Sequence, residues 1–102
     1  MYEYFNPNPN GATVGDCVVR ALSKALGIDW DRCYCELVAY GYSVKDMPSA
    51  NRVWGKMLSD KGFKRSICPF DCTVEEFAEY NPKGVYILAI QGHVVCVVDG
   101  IY

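Results

Sequence analysis

The feature that most constrains this chain is a change of hydrophobic period near residue 83. Before Asn81-Pro82 the apolar residues recur at helical spacing, whereas residues 85–90 and 94–98 are β-branched, apolar runs separated by Gln91-Gly92. A pattern repeating every 3.6 residues or so buries one face of a helix, and a pattern of about two buries one face of a strand; neither serves the other. Helices therefore come first and antiparallel strands last, which defines an α+β layout rather than an alternating βαβ one. At 102 residues the chain is expected to form one domain, 1–102, with a single core.

Four helices are expected. Thr13-Val14-Gly15-Asp16 opens the first, either as a capping box with Asp16 in the usual glutamate position or with Asp16 as the cap itself. Val18, Val19, Ala21, Leu22, Ala25 and Leu26 give it an apolar face, and Gly27 ends it. Asp29 caps a second helix over residues 30–40, stopped by Gly41 and followed by a loop through residue 48. Ser49 or Asn51 opens a third through Val53, Trp54, Met57 and Leu58 to Lys61-Gly62, and Thr73-Val74-Glu75-Glu76 is a capping box for a short fourth. Trp30, Tyr34, Trp54 and Phe77 are expected in the core. Asp99-Gly100 is a second turn signal, so the C-terminus reads as a meander of two or three strands. Ahead of all this, Asn6-Pro7-Asn8-Pro9-Asn10-Gly11 is a rigid lead-in, because both prolines lack a donor and restrict the residue before them.

Ten basic against twelve acidic side chains give a net charge of −2, with the cations scattered, so nucleic acid is not an expected partner. There is neither a basic start followed by an apolar run nor an apolar stretch long enough to span a bilayer, so a cytoplasmic setting without a membrane partner is expected, with the six cysteines as thiols. Cys33-x-Cys35 and Cys68-x3-Cys72 suggest zinc spacing, but side chains two apart on a helix point about 200° from each other. They do not share one ion easily, and no metal or cofactor is expected.

Chemistry concentrates at Cys17. A nucleophilic thiol is favoured at a helix N-terminus by unpaired backbone donors and the positive end of the dipole, and the Cys17 amide is placed to meet a developing oxyanion. Its base should come from a distant, rigid element, and His93, the only histidine, follows Gly92 at the head of the last apolar run. Asn8 and Asn10, held by the prolines, are candidates for a second oxyanion donor, and Asp99 is a candidate for orienting the imidazole.

The runs Gly15-Asp16-Cys17-Val18-Val19-Arg20-Ala21-Leu22 and Gly92-His93-Val94-Val95-Cys96-Val97-Val98 resemble the papain-like cysteine peptidases, especially their small bacterial and phage-encoded relatives. The resemblance implies a cysteine opening the central helix, a histidine starting a strand of the following sheet, and an upstream amide side chain lining the oxyanion hole. It also implies a peptide or protein substrate and a bacterial or phage-infected cytoplasm. Transglutaminase-like, amidase-like and acyltransferase proteins share the same order of cysteine and histidine, so the bond attacked stays open among peptide, isopeptide and other amides.

Two departures stand out. The family's amide lies six residues before the cysteine, where this chain has Gly11. If Asp99-Gly100 is a two-residue turn, the third-strand residue opposite His93 falls beyond Tyr102, leaving a Cys-His dyad, a role for Asp99, or a C-terminally shortened enzyme. The first expectation is therefore a cysteine hydrolase, and the second a binding protein on the same fold, such as a phage-encoded inhibitor or immune-evasion factor without turnover.

Overall fold

The computed structural model describes residues 1–11, 16–67, 72–90 and 92–102. Among them are α1 (Cys17–Leu26), α2 (Trp30–Val44), α3 (Asn51–Asp60), α4 (Val74–Tyr80), β1 (Val85–Ile90) and β2 (His93–Val98). The class is α+β, with helices preceding a two-stranded antiparallel sheet. The radius of gyration, 13.3 Å, is close to the roughly 13 Å of a single folded unit this long.

The start of α1 differs from the expected cap. Thr13 lies outside the described residues, and Asp16 takes the N-cap position without accepting a bond from the first-turn amides. Its carboxylate turns sideways: Oδ1 accepts from Arg20 Nε at 2.7 Å and Oδ2 from Trp30 Nε1 at 2.9 Å. The guanidinium brings a full positive charge to the carboxylate, which a cap amide does not, so the ion pair with Arg20 outweighs a bond to the first-turn amides. The network also ties the start of α1 to the start of α2. The other end of α1 is as expected: Gly27 adopts φ 65° and its N–H bonds back to Ser23 O.

Gly41 does not stop α2, which runs on to Val44 and turns at Lys45 with φ 64°. The glycine serves packing. Residues 46–48 fold back over it, Asp46 N donates to Gly41 O at 3.0 Å, and a Cβ there would stand 2.8 Å from the Asp46 carbonyl oxygen. Cys33 and Leu37 carry the buried face of α2. Tyr34, expected in the core, is 48% exposed; one turn on from Trp30, it stacks on that ring at 5.1 Å and 10°. Trp30 itself is half-buried and Trp54 buried.

In α3, Val53, Trp54, Met57 and Leu58 are buried, as the periodicity requires. The fourth helix carries its full capping box, Glu76 N donating to Thr73 Oγ1 and Thr73 N to Glu76 Oε1, both at 3.1 Å.

The strands pair from Val85↔Val98 to Ile90↔His93 across a two-residue connection at 91–92. Alternation gives each sheet face its own partner. Val94 and Cys96, with Ile87 opposite Cys96, pack into the core against α1. Tyr86, opposite Val97 on the other face, meets the Phe77 ring of α4 edge-on at 5.1 Å. The turn at Asp99-Gly100 forms, but the meander stops after a single bridge, Val98↔Ile101. Tyr102 bonds instead to the N-terminal segment, donating to Met1 O at 3.0 Å and accepting from Glu3 N at 2.7 Å. No described helix is long and apolar enough to cross a membrane.

Candidate functional site

Cys17 is half-buried at the first position of α1 and lines an open cavity of about 520 Å³. One wall is the face of α1 carrying Cys17, Arg20 and Lys24, another is the head of β2 with His93, and the third is the strap formed by residues 2–5. The strap is held by backbone bonds to residues 100–102 and by a T-shaped contact between Tyr2 and Tyr102 at 5.9 Å.

The cavity brings the two principal candidates to one place for a geometric reason. Burial pushes the Cys96 thiol up to about 11, and the nearby Lys24 ammonium offsets part of that rise. Lys24 lies two turns beyond Cys17, about 10 Å along the helix, and Cys96 lies three residues beyond His93, about 10 Å along the strand. Lys24 and Cys96 line the same cavity as Cys17 and His93, so this face of α1 and the first half of β2 border it together.

Facing direction separates them. The β2 face packed on α1 is that of Val94 and Cys96, so a strand period of two puts His93 on the face shared with Val95, Val97 and Tyr86. His93 is exposed and meets the cavity at the hairpin's end, and among the described residues no hydrogen bond joins it to Cys17.

The remaining candidates lie elsewhere. Asp99 is corrected as a partner of His93: it stands at the opposite end of β2, about 20 Å away at strand rise, and its Oδ1 accepts from Gly84 N at 2.8 Å. It closes the mouth of the β1 and β2 pair. Asn8 and Asn10 do not line the cavity. They belong to a run of Asx turns in which Asn6 Oδ1 accepts from Asn8 N at 3.2 Å and Asn8 Oδ1 from Asn10 N at 2.9 Å. The strap wall comes from earlier in the chain, at Tyr2, Glu3, Tyr4 and Phe5, residues in which the sequence offers no catalytic signal.

Sequence reasoning also missed Arg20 and Asp16. An (i, i+4) acid-base pair on a helix is usually a solvated surface pair, but here the Asp16 side chain is 5% exposed and the pair sits in the cavity wall. The distant Trp30 completes the network, and no local pattern connects it to Asp16. Cys33 and Cys35 point as the helix geometry requires, Cys33 buried with its thiol on Val19 O at 3.6 Å and Cys35 exposed, so they do not converge.

No protein-family model, curated protein or solved structure matches the chain. The geometry of the site alone carries the functional reading.

Proposed function

We propose that this chain is a small cysteine hydrolase of the papain-like kind, attacking the carbonyl of a peptide, isopeptide or other amide in the cavity beside α1. The observation that carries this reading is the placement of Cys17: it opens α1, on the wall of an open cavity that His93 lines from the start of β2. The Cys17 proton passes to the imidazole as sulfur adds to the carbonyl carbon, and the oxyanion develops beside the Cys17 amide. Collapse breaks the C–N bond, the leaving amine takes the proton from His93, and water then hydrolyses the thioester. The imidazole must come within hydrogen-bond reach of Cys17 for this to run, a contact that in many hydrolases tightens only when substrate is bound.

A specific observation favours a second reading. Strand alternation places His93 on the face away from α1, and Asp99, the acid nearest to it in sequence, is engaged with Gly84 at the far end of the strand. A binding protein that keeps the cavity without turnover fits both facts. Iodoacetamide labelling of each cysteine, followed by mass spectrometry in wild type and His93→Ala, separates the two. A hydrolase labels at Cys17 well ahead of the exposed Cys35 and loses that lead in the variant. A Cys17 no faster than Cys35, or indifferent to His93, leaves the binding reading.

A further inference from the structure

The basic face of α1 has no role in the chemistry so far. Cys17, Arg20 and Lys24 follow one another along the cavity wall, with Arg20 about 5 Å and Lys24 about 10 Å from Cys17 along the helix axis. Arg20 is held in place: Asp16 Oδ1 takes its Nε, and Trp30 Nε1 fixes the other carboxylate oxygen. Its Nη2 is shut off from water and has no acceptor. The side chain as a whole keeps 21% of its surface in solvent, and it is this exposed part that borders the cavity. Lys24 forms no ion pair among the described residues, and neither does Glu3, the carboxylate on the strap that lines the same cavity.

From this arrangement we propose that Arg20 and Lys24 form a carboxylate-binding subsite, so that the ligand seated at Cys17 is an acidic peptide whose carboxylate lies about 5 to 10 Å from the reacting carbonyl. A guanidinium held at its Nε faces the cavity in a fixed orientation and offers a charged donor to a carboxylate, and the ammonium one turn further on adds charge. The proposal rests on the reading of Cys17 as the nucleophile. The carboxylate has two sources, an acidic side chain or a chain terminus.

Three chloroacetyl probes test it: chloroacetyl-Glu-amide, its neutral isostere chloroacetyl-Gln-amide, and chloroacetyl-Gln with a free α-carboxylate. Each is reacted with the full chain in wild type, Lys24→Gln and Arg20→Gln, and alkylation is followed at every cysteine by mass spectrometry. Melting curves establish that the variants are folded, and Lys24 lies outside the Asp16 network should Arg20→Gln unfold. At least one acidic probe is expected to label Cys17 about tenfold faster than the neutral one, the scale of a charge-assisted bond pair. That advantage, taken as the ratio of acidic to neutral probe within each protein, should shrink in Lys24→Gln and in 0.5 M salt. Whether the Glu-amide or the free acid gains more identifies the source of the carboxylate. Equal rates for all three probes at a Cys17 that still outpaces the other cysteines overturn the subsite and leave the nucleophile in place. If no probe favours Cys17 over Cys35, the subsite and the nucleophile fall together.

Discussion

Replacing Asp16 with alanine perturbs the buried ion-pair network that holds the start of α1. The substitution removes the acceptor from Arg20 Nε at 2.7 Å and from Trp30 Nε1 at 2.9 Å. Removing one partner of a buried pair costs roughly 3–5 kcal/mol, chiefly because the surviving charge is left without compensation. Arg20 keeps 21% of its side-chain surface in water, so part of that penalty is relieved. The indole adds about 1 kcal/mol for its lost bond, and a total of about 3 kcal/mol follows. For a chain of this length that lowers the Tm by on the order of 15 °C. Urea unfolding followed by far-UV circular dichroism measures it, with an unchanged m value showing that the same surface unfolds. The double variant Asp16→Ala/Arg20→Met should recover about half of the loss, because the stranded charge goes with the arginine. A loss below about 1 kcal/mol, or a double variant no more stable than the single, would refute the network as a structural element.

Two further outcomes follow from the same geometry. Asp99→Asn keeps an acceptor for Gly84 N–H and tolerates the φ of 49° at that turn, so Cys17 labelling should change less than about twofold. A fall of about tenfold or more would make the Asp99 charge an orienter of His93 after all. The alkaline limb of stability should carry the signature of Cys96. Its thiol is raised by burial from the ordinary 9.0 to about 11, so the unfolded chain releases its proton first as pH rises. The associated stability is complete below about pH 9 and is lost as pH approaches 11, on the order of 2–3 kcal/mol at full extent. Guanidinium unfolding between pH 8 and 11 should show this slope in wild type and a shallower one in Cys96→Val. Identical slopes would remove Cys96 as the cause.

The local elements were legible in the sequence because local rules decide them. The capping box at Thr73 and Glu76, the buried faces of α1 and α3, and the two-residue connection between apolar runs each depend on neighbours a few residues away. Cys17 at a helix start and His93 at a strand start belong to the same category. Gly41 shows where such rules give out. In sequence a glycine after an apolar run reads as a stop, yet here it continues the helix because the 46–48 loop needs the space a Cβ would take.

Tertiary structure decided the rest. An acid that local statistics assign to a cap was drawn to an indole fourteen residues away, since a carboxylate sealed from water takes the strongest donors within reach. Asp99 and His93 are close in sequence but separated by the length of an extended strand, so no local reading could pair or exclude them. The cavity wall opposite Cys17 comes from residues 2–5 only because Tyr102 bonds to Met1 and Glu3. The sequence by itself determined that Cys17 begins a helix and His93 a strand. The packing of α1 against β2 decided that the two share a cavity and which face of the strand His93 lies on, because both depend on contacts between segments more than sixty residues apart.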